Sequence, residues 1–187
     1  MSAVPEEVAN PLLKLDIGCG KNKKPGFHGV DAISFDGVDT VMDVRSGKWP
    51  WDDASVEEVH CSHFVEHLTA QERVHFVNEL YRVLIPGGKC QIIVPHWNSN
   101  RAYGDPTHQW PPVSEMWFYY LDKGWRAGNA PHTDSEFNPT GFNCDFAATW
   151  GYSLHGHLTT RNIEYQQHAI QFWKEACQDT IATIVKK

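Results

Sequence analysis

The chain has no Cys-x-x-Cys pair: its five cysteines, Cys19, Cys61, Cys90, Cys144 and Cys177, lie far apart and are odd in number. That argues against a disulfide framework or a zinc knuckle and for reduced thiols. No apolar run approaches the ~18 residues that a membrane helix needs. Residues 1–7 are acidic and lack an apolar signal core. A soluble, cytoplasmic protein with no membrane partner is therefore expected. Positive charge is also scarce, with 16 basic residues against 23 acidic ones and a formal charge of -7. Sequence-independent nucleic-acid binding needs a positive footprint, so nucleic acid is disfavoured as a partner and small molecules stay open. There are no repeats or low-complexity stretches. A length of 187 residues suits a single domain, 1–187, large enough to bury a proper core.

What is present is an alternation of strand and helix signals. Short apolar runs at 12–17, 27–31, 40–43 and 56–61 predict strands, separated by stretches rich in Gly, Lys, Pro and Asp. Thr69-Ala70-Gln71-Glu72 is a capping box that opens a helix with Val74, Val77, Leu80 and Leu84 on one face, and Pro86-Gly87-Gly88 stops it. In the strand predicted at 89–95, Ile92-Ile93-Val94 is apolar on both faces, as in the covered middle of a parallel sheet. The tail predicts a strand at 145–154, a helix over 162–177 with Ile163, Ile170, Trp173 and Cys177 along one face, and a last strand at 179–186. This order implies an α/β sandwich. From 96 to 143 the periodicity disappears into Trp, Tyr, His, Pro and Gly, a stretch too long for an ordinary connection. It follows the C-terminal end of a central strand, where open α/β sheets bind ligands, and is expected to be a substrate-facing insertion.

The run Leu15-Asp16-Ile17-Gly18-Cys19-Gly20, followed by Gly29-Val30-Asp31, reads as a nucleotide site. Glycines at a strand end let the backbone turn sharply and approach a ligand, and an acidic residue ending the next strand faces ribose hydroxyls. A dinucleotide site needs Gly-x-Gly-x-x-Gly leading into a helix that holds a pyrophosphate. Here Lys23 stands at the third glycine position, and Lys24-Pro25-Gly26 leaves little room for that helix. Asp16 would repel a phosphate but attract the sulfonium and amino group of S-adenosylmethionine.

Three ordered stretches, 15–20, 49–68 and 80–89, resemble the class I S-adenosylmethionine-dependent methyltransferases, in a type 11-like, compact form. The resemblance spans roughly 12–95. It implies a Rossmann-like three-layer sandwich: a mostly parallel seven-stranded sheet with an antiparallel final strand, and an inserted lid after the fifth strand. S-adenosyl-L-methionine would be the methyl donor and S-adenosyl-L-homocysteine the product. Carried over, Asp16, Gly18, Cys19 and Gly20 line the methionine end, Asp31 bonds the ribose, and Ala32 and Ile33 flank the adenine. Asp43 accepts from the adenine amino group, with Val44 beside it. Ser62 and His63 lie near the transferred methyl, with Glu66 and His67 one turn deeper. Asp43 also fits a turn start, Glu66 a helix cap and His67 a structural role. The short span from Gly20 to Asp31 means that the first crossover helix is shortened or absent. The Asp/Asn-Pro-Pro-Tyr/Phe motif of amino-methylating DNA enzymes is replaced by Ser62-His63-Phe64-Val65.

Candidates for acceptor chemistry lie at the start of the insertion. His96 and His108 have a suitable unperturbed pKa for taking a proton near neutrality, and Asp105 is placed to orient either ring. Trp97, Tyr103 and Trp110 offer stacking surfaces for a small-molecule acceptor. Two alternatives remain open at this stage. One is a cofactor-binding assembly module that has lost catalysis. The other is a metal hydrolase using His96, Asp105 and His108 with His132 or the pair His155 and His157. No His-Glu-x-x-His spacing occurs, and no metal ligands are assigned.

Overall fold

The computed structural model describes residues 12–187, so the expectation for 1–7 lies outside the described residues. Seven strands form one sheet: β1 (Leu13–Ile17), β2 (His28–Asp31), β3 (Thr40–Val41), β4 (Val56–Ser62), β5 (Leu84–Pro95), β6 (Phe146–Leu154) and β7 (Cys177–Lys186). Their spatial order is β3-β2-β1-β4-β5-β7-β6. β1 to β5 run parallel, and β7 pairs antiparallel with both β5 and β6. The fold is the mixed, mostly parallel Rossmann-like sheet that the resemblance implies. The chain order reverses between β1 and β4, which places the switch point beside the glycine loop.

Helix α1 (Ala70–Val83) starts where the capping box predicts: Thr69 Oγ1 accepts from the Glu72 N–H, and the Glu72 carboxylate accepts from the Thr69 N–H. It buries Phe76, Val77, Leu80 and Val83 against the sheet. Burying such side chains is worth about 1.5–3 kcal/mol each, which holds the helix to β4 and β5. The helix ends one residue earlier than its apolar face suggests, because Leu84 turns to an extended ψ of 140 and opens β5. Pro86-Gly87-Gly88 stops nothing; it lies within β5, in an irregularity between the pairs Val56↔Leu84 and Glu58↔Lys89.

The crossovers 18–27 and 32–39 contain no helix. Side chains on that face of the sheet, such as Lys14, His60, Gln91, Ile181 and Thr183, are only half-buried. The opposite face is covered by α1 and by the insertion. Within the insertion, α2 (Asn100–Gly104), α3 (Glu115–Tyr119) and α4 (Lys123–Asn129) are each too short to display a period. Val113, Phe118, Leu121 and Phe142 join the main core, so the insertion is packed down as a layer. Its centre is Arg126, wholly buried and bonded to Asp134 at 2.9 and 3.1 Å and to the carbonyls of Tyr120 and Cys144.

The last helix, α5 (Ile163–Phe172), is shorter than the predicted 162–177. Trp173 is extended and Glu175 takes a positive φ, so the chain turns there and Cys177 begins β7. Ile163 is exposed, and Ala169 is the buried residue of this helix. All five cysteines are buried and free. No helix among the described residues is long and apolar enough to cross a membrane.

Candidate active site

Parallel pairing of β1 with β2 brings the glycine loop and Asp31 side by side. Gly18 has φ +70, and a Cβ there would sit 2.9 Å from Phe64 Cδ2, so both conformation and space demand glycine. The Asp31 carboxylate accepts from the Gly20 N–H and the Ile33 N–H, both at 2.9 Å, and ties the loop to β2. Asp16 is buried, and both its oxygens are taken, by the Lys24 N–H at 2.7 Å and His60 Nδ1 at 2.8 Å. Its carboxylate therefore anchors the loop from behind.

An inner cavity of about 220 Å³ opens at these strand ends. Of the residues singled out in the sequence, Gly18, Asp31, Ala32, Asp43, Val44 and His63 line it; Asp16, Cys19, Gly20, Ile33 and Ser62 do not. Met42, Arg45 and Phe64 complete the wall. Asp43 lies past the end of the short β3 and carries a paired Arg45 guanidinium at 2.7–3.1 Å. That hydrogen bonding holds the Asp43 carboxyl below the usual range. Val44 is fixed from below, where the buried Trp49 indole donates to its carbonyl at 3.1 Å. Arg82 in turn holds the tryptophan segment through the carbonyls of Trp49 and Trp51.

An outer cavity of about 540 Å³ lies beyond β4 and β5, within the ~300–1,000 Å³ of small-molecule sites. His63, Asp105 and His108 line it together with Glu66, His67 and Arg101. His63 borders both cavities. It has a left-handed φ of 53, a conformation that costs free energy in a non-glycine residue and collects at functional sites. Its N–H donates to Ile93 O at 2.8 Å, and its Nδ1 meets Glu66 Oε1 at 3.2 Å. That hydrogen bond raises the His63 pKa against the opposing effect of burial.

Glu66 does not cap α1, since the Thr69 and Glu72 box already does so. It sits in a short 3-10 turn, Val65–His67, facing the cavity wall. His96 is not in either cavity. It is buried, its Nδ1 accepts from the Asn98 N–H and its Nε2–H donates to Glu115, so both ring nitrogens are occupied. Asp105 stands 3.8 Å from His108 and accepts from Thr107 N–H and Oγ1. The metal set of the hydrolase alternative, His96 with Asp105 and His108, is thus not assembled. Trp97, Tyr103 and Trp110 border a separate apolar trough with Pro111, Met116 and Tyr119. Glu66 and His67 were expected one turn deeper than the methyl site, but Arg101 lacked any local pattern that marks a site, because only the fold brings 63–67 against 101–108.

A family model described as a methyltransferase domain matches residues 28–92. No curated protein sequence matches the chain. Among solved structures, an S-adenosylmethionine-dependent methyltransferase from Archaeoglobus fulgidus is 23% identical, with a TM-score of 0.60, covering 94% of this chain and 86% of that one. Geranyl diphosphate C-methyltransferase from Streptomyces coelicolor A3(2) is 14% identical, with a TM-score of 0.53 and coverage of 94% and 73%. The [4+2]-cyclase SpnF gives 14%, 0.51, and coverage of 94% and 74%. The chain thus carries a methyltransferase-domain pattern over 28–92 and shares the fold of solved S-adenosylmethionine-dependent methyltransferases.

Proposed function

We propose that the protein is a methyltransferase that binds S-adenosylmethionine in the inner cavity and a small-molecule acceptor in the outer one. The observation that carries this reading is the position of His63, in the wall shared by the two cavities. The inner site fits the nucleoside in two respects. Gly18 leaves its backbone bare beside Phe64, and Asp31 presents a carboxylate at the strand end with lone pairs beyond its two loop bonds.

When bound, the cofactor supplies a methyl on a sulfonium, an already activated leaving group. The task left to the chain is to hold donor and acceptor in line. Asp31 would orient the ribose, while Asp43 and Val44 would border the adenine. The outer cavity would fix the acceptor, with Trp97, Tyr103 and Trp110 beside it receiving an apolar part. Segment 96–143 then serves as the substrate-facing insertion. His63, which borders both cavities, is placed to receive a proton from an acceptor that must lose one.

The similarity in fold to a cyclase means that cofactor binding and methyl transfer need separate tests. Isothermal titration with S-adenosylmethionine, S-adenosylhomocysteine and NAD is the first. Saturable binding of the first two alone is expected, and no binding of either overturns the proposal. Binding without transfer of a labelled methyl to any compound in an acceptor screen would favour the non-catalytic module.

A further inference from the structure

We infer that Glu66, His67 and His108 form a site for one borderline divalent cation of the Zn²⁺ and Co²⁺ class, in the wall of the outer cavity. One donor atom from each of the three lies within 4.8 Å of the other two. About a tetrahedral ion with bonds of ~2.0–2.2 Å such atoms stand roughly 3.3 Å apart, so small side-chain rotations complete the set.

Three independent features point to a ligand rather than to chance proximity. Glu66 is 5% exposed, yet its Oε2 has no hydrogen-bond partner among the described residues, while Oε1 is held by His63. An unpaired carboxylate oxygen in such a place is costly, and a cation offsets that cost. Both imidazoles also have their tautomers fixed in the sense that metal binding requires. The Thr107 hydroxyl donates to Asp105 at 2.6 Å, so it accepts from His67 Nδ1–H at 3.0 Å. His108 Nδ1–H donates to Ala102 O at 3.2 Å. Each ring is left with a bare Nε2, and outer bonds of this kind orient metal-binding histidines.

The third feature is rigidity. Buried Arg73 bonds the carbonyls of Val65, Gln109 and Pro111, clamping the Val65–His67 turn to the strand of chain that carries His108. The two rings meet edge to face at 4.7 Å. Two imidazoles and one carboxylate suit a borderline ion and leave coordination positions free for solvent or substrate oxygen. Occupancy of the site does not depend on the cofactor. Its use, to polarise an acceptor oxygen, rests on the methyl-transfer reading above.

The test uses full-length protein purified without a histidine tag and stripped with chelator. Co²⁺ is titrated in by visible spectroscopy, and Zn²⁺ by competition with a chromogenic chelator. One equivalent per chain is expected, with Glu66→Gln, His67→Gln and His108→Gln each weakening binding at least tenfold. A His155→Gln/His157→Gln double variant, which removes an exposed histidine pair 3.2 Å apart, should leave binding unchanged. Paramagnetic shifts in the Co²⁺-loaded wild type, expected on the His67 and His108 rings, locate the ion without relying on variants. No stoichiometric uptake, or shifts on other histidines, overturns the inference. Titration with S-adenosylhomocysteine on the same samples reports separately on the cofactor.

Discussion

Arg126→Met is expected to destabilise the protein by about 3–5 kcal/mol, the cost of breaking a buried ion pair by removing one partner. The substitution keeps the apolar stem but strands Asp134, which is 6% exposed, and frees the carbonyls of Tyr120 and Cys144. For a domain of this size the melting temperature should fall by roughly 6–20 °C, read by circular dichroism. A double variant that also changes Asp134→Leu should recover part of the loss, since the buried charge is then gone. A loss under about 1 kcal/mol would mean that water reaches the pair and that the insertion is not a packed layer.

The same pair sets an acid dependence. Burial pushes the Asp134 carboxyl up, but the Glu136 N–H and the Arg126 guanidinium outweigh it, leaving the pKa below the ordinary value. In the unfolded chain the group titrates near ~3.9. A depressed folded value stabilises fully above that pH and loses its effect as the pH falls through the folded pKa. Stability of the wild type should therefore drop on acidification below ~pH 4, and Arg126→Met should show a flatter acid limb. An identical limb in both would assign the acid sensitivity to other carboxylates.

Asp31→Ala is expected to weaken binding of S-adenosylhomocysteine by about 10–100-fold with the fold intact. Hydrogen bonds to a charged group are worth about 1.5–3 kcal/mol, and each 1.4 kcal/mol is a factor of ten. Asp31 also receives the N–H groups of Gly20 and Ile33, so its removal loosens the glycine loop as well as the proposed ribose contact. Asp31→Asn keeps an acceptor and should fall in between. Isothermal titration measures both, and a thermal melt confirms folding. Unchanged affinity in Asp31→Ala would place the ribose elsewhere.

Much of the fold was legible because its signals are local. The capping box at Thr69 marked a helix start to the residue, and short apolar runs marked strands in β1, β4 and β5. Gly18 and Asp31 were readable because a tight turn and a strand-end carboxylate need particular residue types at particular places. Boundaries set by pairing were not: Leu84 and Cys177 have helical spacing but belong to strands whose neighbours claim their backbone.

The chemistry of single residues depended still more on tertiary contacts. His96 reads as a free base in the sequence, but Asn98 and Glu115 occupy both of its nitrogens. Asp16 reads as a ligand contact, but it is buried behind the loop, with its oxygens bonded to the Lys24 N–H and to His60, and it does not line the inner cavity. The sequence by itself determined the parallel strands and the glycine turn, since propensity, capping and glycine geometry act over a few neighbouring residues. Only the tertiary structure decided which polar groups are satisfied and which are left available. That depends on contacts between residues distant along the chain, such as Glu66 and His67 with His108.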